Sequence, residues 1–246
     1  MEIDINSWIK RLAEKFGLVA HAAWKVVKVM CGRYTVLTED EIIEVRSIIR
    51  EVSLRLARDD FQEYKTEQQE VAPTNKAPIV TSNGSELAFE LGKFGFEKWD
   101  GKGVIINARA ETVKDKSMFK NRIMQGRCVV PASGYYEWKQ PDEGKKKKVK
   151  HLIKDKSGNL LFMAGLWRDG KDGREFVVIT KEPFGDVVGI HGRMPVMLRT
   201  DQMEAWLSGA MPIEDLAGIE HECFGEPCES VEEAQECGAQ MSLFDV

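Results

Sequence analysis

The chain has 246 residues, of which 43% are hydrophobic and 30% charged, and a formal net charge of −5. That is enough apolar material for one sizeable core, and no run of about eighteen apolar residues offers a membrane span. Charge is uneven: twelve of the 40 acids and none of the 35 basic residues lie from Thr200 onward, which leaves the preceding body at +7, a balance that suits a polyanionic partner and equally an ordinary enzyme.

Glu2 and Asp4 stand where a secretory signal carries positive charge, so a cytoplasmic protein is expected, with no membrane partner. Residues 5–29 read as a helix, with Trp8, Ile9, Leu12, Phe16 and Val19 on one face. A short strand is expected over 31–37. Thr38 as N-cap, with Glu41 at the capping-box position, predicts a helix running to about Arg58. Its buried side would carry Ile42, Val45, Ile49, Val52 and Leu56. Residues 71–78 read as a proline-broken loop.

Strands are then predicted at 79–81, 87–94, 104–107, 127–138, 149–154, 160–167, 175–180 and 195–198, with short helices at 117–124 and 201–207. The pattern implies one α+β domain with a largely antiparallel, barrel-like sheet and flanking helices. Its expected limits are residues 30–210, after a helical extension at 1–29 and before a poorly ordered acidic tail at 211–246.

The five cysteines, an odd and scattered set, do not form a disulfide framework. Reduced thiols are expected, so a special cysteine is more plausibly catalytic. Five segments set polar residues among small or rigid ones: Cys31-Gly32-Arg33-Tyr34, Ala72-Pro73-Thr74-Asn75, Asn107-Ala108-Arg109-Ala110-Glu111, the run from Pro131 to Trp138, and His191-Gly192-Arg193-Met194-Pro195. Each alone has a plain structural reading. Tyr135, Tyr136 and Trp138 alternate around Glu137 as core or sheet-face residues would. Arg33 and Arg109 suit ion pairs, Cys128 a small buried hydrophobe, and Lys145 to Lys148 a solvated hairpin tip.

Together, and in this order, the segments closely resemble the SOS-response-associated peptidase family of abasic-site processing proteins, over about two thirds of the chain. The resemblance implies a cysteine that follows the initiator methionine and acts as an N-terminal 1,2-aminothiol. It captures the ring-opened aldehyde of an abasic site in single-stranded DNA as a thiazolidine crosslink. By motif, Cys31 is the nucleophile and Asn107 orients it. Glu137 is the acid–base for sugar opening and imine chemistry, and His191 assists proton transfer on the phosphate side. Arg33, Arg109 and Arg193 would contact phosphates, with Pro73, Trp138, Tyr136 and Phe94 against the DNA.

An α-amine titrates near ~8 and is partly neutral at pH 7, whereas a lysine amine near ~10 is not. Nearby arginines would favour the thiolate. Neither a metal nor an organic cofactor is implied, and a monomer associated with the nucleoid during repair is expected. β-Elimination at the same imine is a related activity of this reading; a cysteine peptidase acting on itself or other chains through Cys31 and His191, and a non-catalytic DNA-binding adaptor, are the alternatives.

The 29 residues before Met30 depart from the family, because they leave Cys31 with an amide in place of an amine. Translation from Met30, removal of the extension, or loss of crosslinking would each account for this. The first is preferred because Met30-Cys31 is the dipeptide with which the family begins. Phe94-Gly95-Phe96-Glu97-Lys98-Trp99 also departs, lacking the family's proline.

In the tail, His221, Cys223, Cys228 and Cys237 lack a Cys-x-x-Cys pair, and incidental cysteines are the expected reading over zinc. Gln240-Met241-Ser242-Leu243-Phe244 resembles the peptide by which bacterial proteins dock on the replicative sliding clamp, through Gln240, Leu243 and Phe244.

Overall fold

The computed structural model describes residues 32–52, 56–59, 70–82, 86–141 and 147–228. The predicted helix at 5–29, Cys31, most of the lysine-rich tip and the 240–244 peptide lie outside them. Three layers make up the described α+β domain. A five-stranded sheet packs on an eight-stranded sheet, and helices cover the other face of the larger one.

The smaller sheet has the order β15-β11-β10-β1-β3: Cys223–Pro227, Val149–Asp155, Tyr135–Lys139, Arg33–Thr35 and Glu70–Val71. The larger runs β14-β13-β12-β9-β4-β5-β2: Met194–Pro195, Gly173–Lys181, Leu161–Gly170, Arg127–Ala132, Lys76–Ser82, Leu87–Phe94 and Leu56–Asp59. β8 (Asn107–Arg109) adds to β13 in parallel, and β6 (Phe96–Glu97) with β7 (Val104–Ile105) forms a separate hairpin.

Alternation along the strands of the larger sheet fills two cores at once, because successive side chains point to opposite faces. Cys128 and Val130 of β9, Leu161 and Met163 of β12, and Phe176 and Val178 of β13 point to the core between the sheets. Val129, Phe162, Ala164, Val177 and Ile179 point to the helical side. This is why these strands read as nearly continuous apolar runs. Each fully buried side chain of this size contributes about 1.5–3 kcal/mol.

Helix α1 (Glu39–Val52) starts at the predicted capping box. Thr38 N–H donates to Glu41 Oε2 at 2.7 Å, and Glu41 N–H donates to Thr38 Oγ1 at 3.2 Å. Ile42, Val45 and Ile49 are its buried stripe. Helix α2 (Ser117–Gln125) buries Phe119 and Ile123, and α3 (Thr200–Leu207) buries Met203, Trp206 and Leu207. The Trp206 indole donates to Cys128 O at 2.8 Å, and the Arg127 guanidinium lies 4.4 Å above its ring.

Four expectations are corrected. The first helix ends at Val52, and residues 56–59, read from sequence as its last turn, form β2 along the edge of β5, where ladder hydrogen bonds override helical spacing. The expected loop at 71–78 is shorter than predicted. β4 begins at Lys76, and Pro78 is tolerated there because β4 pairs along its length with β5 but meets β9 only at Val80 and Thr81.

The single strand expected over 127–138 is two. β9 and β10 belong to different sheets and are joined by a bend at Ser133-Gly134, which the Thr35 side chain clamps: Gly134 N–H and Ser133 Oγ both donate to Thr35 Oγ1, each at 2.9 Å. A side chain at Gly134 would come 2.9 Å from Ile153 O, so the crossing needs glycine. Last, the folded domain does not stop near Ala210. A 3-10 turn at Ile213–Gly218 packs Ile213 and Leu216 into the core, and β15 closes the smaller sheet against β11. Lys181, buried, reaches Ile219 O and ties this segment down.

Candidate active site

The ladder between β1 and β10 sets Arg33 opposite Tyr136 and Tyr34 opposite Tyr135. Gly32, which precedes β1 in the chain, is buried. Tyr34, Tyr135 and Ile153 point into the inter-sheet core, and Glu137, on the same face, ends the row with only 1% of its surface exposed. A carboxylate so placed would be costly without polar neighbours, and His191 is one: its Nδ1 lies 3.5 Å from Glu137 Oε1.

His191 follows a 3-10 turn at Gly185–Gly189. Its backbone N–H donates to Val187 O at 3.0 Å, and its Nδ1 lies 3.2 Å from Arg193 O. An Nδ1–H donor to that carbonyl leaves Nε2 as the second ring position for proton exchange. Ile190, the residue before His191, packs against Gly225 of β15. A Cβ there would meet Ile190 Cδ1 at 2.2 Å, so Ile190 packs on bare backbone and the next residue enters beside Glu137.

The segment at 107–111 joins through Arg193. The Arg193 guanidinium grips the Glu111 carboxylate with two hydrogen bonds, of 2.7 and 2.8 Å, and also donates to Thr180 O at 2.6 Å. Ala110 N–H shares that carbonyl at 2.8 Å. Burial alone would raise the Glu111 carboxyl, but its hydrogen bonds with Arg193 hold it below the usual carboxylate range. Asn107 starts β8, beside Val178 of β13, and its carboxamide oxygen is buried. Contacts therefore run from Glu137 through His191 and Arg193 to the strand that carries Asn107.

The other residues singled out from sequence separate. Arg193, expected on a phosphate, is largely buried, and its fork holds the Glu111 carboxylate. Phe94, expected against DNA, has no exposed surface. It stacks on Phe176 at 5.3 Å and meets the edge of Tyr34 at 5.5 Å, inside the inter-sheet core. An aromatic there fills space that only a core residue can fill.

Arg109 is exposed, and Arg33 pairs with Glu70 at 3.1 Å. Trp138 is half-buried on the outer face of the smaller sheet. Pro73 sits in a tight turn, with Asn75 N–H on Ala72 O at 3.0 Å, and Thr74 follows it at φ 76°, the sole non-glycine at positive φ among the described residues. A β-branched residue there costs about 1–2 kcal/mol. The turn is held to β5 by Thr74 N–H on Phe94 O at 2.7 Å and Phe94 N–H on Asn75 O at 2.8 Å.

Trp99 was missed. It is 99% exposed at the tip of the β6–β7 hairpin, and it lines a cleft of about 700 Å³ with Lys98, Arg168 and Lys171. Neither Glu137 nor His191 lines that cleft. A lone tryptophan between Lys98 and Asp100-Gly101 was the available signal.

Among the described cysteines, Cys128 and Cys223 are buried. Burial pushes the Cys128 thiol up, and burial first, then Asp155 and Glu222, pushes Cys223 up to about 12. His221 Nε2 lies 2.9 Å from Asp155 Oδ1.

A model of the SOS response associated peptidase (SRAP) family matches residues 30–231. The chain therefore belongs to the SRAP family. It is 34% identical over 195 residues to the abasic site processing protein YoqW of Bacillus subtilis, covering 73% of this chain and 80% of that one. It is 29% identical over 189 residues to the abasic site processing protein YedK of Escherichia coli, covering 72% and 79%. Among solved structures, a protein from Bacteroides thetaiotaomicron shares the fold with a TM-score of 0.66 at 23% identity, over 81% of this chain and 93% of that one.

Proposed function

We propose that this protein processes abasic sites in single-stranded DNA by capturing the C1′ aldehyde on Cys31 once the α-amine of that residue is free. The names of its relatives support abasic-site processing. The observation that carries the chemistry is the buried Glu137–His191 pair at the end of the β1–β10 ladder, which begins two residues after Cys31 in the chain.

The amine adds to the aldehyde carbon to give a carbinolamine. Glu137 supplies the proton with which the hydroxyl leaves as water, and an imine results. The Cys31 sulfur then adds to the imine carbon while the nitrogen takes up a proton, which closes the thiazolidine. One water is lost and nothing is oxidised or reduced. Trp138, Tyr136 and Trp99 supply surfaces on which flanking bases stack. Exposure of the amine is assigned to translation from Met30 followed by removal of that methionine, or to removal of residues 1–30.

Protein begun at Met30 should yield a crosslink that survives denaturing electrophoresis with abasic, but not intact, single-stranded DNA. Cys31→Ala should yield none; equal crosslinking by that variant would sink the proposal. The C-terminal peptide is proposed to dock on the sliding clamp. Loss of clamp affinity in a Leu243→Ala/Phe244→Ala variant is expected, and unchanged affinity would refute the docking role.

A further inference from the structure

On the outer face of the smaller sheet, four strands bring charged and aromatic side chains together beside the head of β1. Glu70 of β3 shares its carboxylate between two cations. Oε2 accepts from Arg33 Nη1 of β1 at 3.1 Å, and Oε1 takes the Lys150 ammonium of β11. Lys150 reaches over β10 to do so, with Nζ 4.0 Å from the centre of the Tyr136 ring and 5.8 Å from that of Trp138. The ladders account for this: Arg33 is opposite Tyr136, Trp138 is opposite Lys150, and Glu70 lies diagonal to Arg33 through its partner Thr35.

We propose that Glu70 is a resident stand-in for a DNA phosphodiester, occupying an anion site that Arg33 and Lys150 form over Tyr136 and Trp138 and leaving it when a strand docks. This rests on the single-stranded DNA reading given above. A phosphodiester carries the same single negative charge, so the exchange leaves the local balance unchanged. It is also accessible. The side chains of Arg33, Lys150 and Glu70 are 49%, 30% and 20% exposed, and ion pairs open to water are individually weak. Lys150, already over the Tyr136 ring, stays in place while its anion changes. The effect is to lower the grip on undamaged strands, so that retention depends on the covalent step.

The test uses undamaged single-stranded oligonucleotide and fluorescence anisotropy over a range of salt, with the full chain as wild type, Glu70→Gln, Lys150→Ala and the double variant. Glu70→Gln should bind roughly three- to tenfold tighter near ~0.1 M salt. Lys150→Ala should bind more weakly, with the slope of log affinity against log salt shallower by about 0.7. The double variant should lose most of the gain. Glu70→Gln binding no tighter than wild type, with an unchanged melting temperature, would overturn the stand-in, as would Lys150→Ala with unaltered affinity and slope. Crosslinking of abasic DNA, measured on wild-type protein begun at Met30, separates the two failures. Capture with no Glu70 effect rejects only the stand-in, whereas absent capture with a Glu70 effect rejects the chemistry and leaves the anion site.

Discussion

The two faces of the smaller sheet are built from the same strands and carry opposite kinds of site. On the inner face, Tyr34, Tyr135 and Ile153 form a dry row that ends in Glu137 and its neighbour His191. On the outer face, Arg33, Tyr136, Trp138, Lys150 and Glu70 form a wet layer in which Glu70 pairs with both cations and Lys150 lies over the rings. Tyr135-Tyr136-Glu137-Trp138 serves both, because neighbouring residues of a strand point to opposite sides. One residue in four is a carboxylate, and its place in the alternation assigns it to the buried chemistry and leaves the stacking to its neighbours.

The two faces should therefore fail in different ways. The largest effect is expected inside. Glu137→Gln keeps the shape and removes the acid, so the rate of capture at saturating abasic DNA should fall about 100-fold or more, while affinity for undamaged strands holds. A capture rate within a few-fold of wild type would show that Glu137 is a structural carboxylate.

Next comes the outer face. Trp138→Ala should weaken single-strand binding by about tenfold, as loss of one stacked base implies, and spare the saturated rate. Phe94→Leu, buried in the core, should leave affinity alone and lower the melting temperature. The reverse pattern in an anisotropy titration would break the comparison.

The smallest effect concerns the far end of β13, away from both faces. Burial would raise the Glu175 carboxyl, but hydrogen bonds from Lys93 and Arg168 hold it below its ordinary value of 4.5. The native state therefore binds that proton less readily than the unfolded chain. The contribution is complete above about pH 4.5 and is lost as pH falls through the lower native value. Melting temperature should decline below that pH, and less steeply in Glu175→Gln; parallel declines would contradict the assignment.

Much of this was legible in the residues. β5 could be read with its limits, and the Thr38–Glu41 capping box closes as the pattern required, because both depend on neighbours in sequence. The helix end at Val52, the bend at Gly134 and the burial of Phe94 depend on distant partners: β5 for 56–59, the Thr35 hydroxyl for the bend, and Phe176 for the ring. Arg193 illustrates the same limit at the site. Its motif marked it as a phosphate contact, but Glu111, far away in sequence, already fills its fork. Glu70 was passed over because a lone glutamate has no pattern of its own. Only the ladder to β1 gives it two cations.

The central claim turns on one atom, the α-nitrogen of Cys31. Intact mass spectrometry of protein expressed from Met30, with and without an abasic single-stranded oligonucleotide, tests it directly. The account predicts a chain beginning at Cys31 that gains the mass of one oligonucleotide less one water, and a Cys31→Ala chain that gains nothing. A protein that loses Met30 yet never gains DNA mass would contradict it.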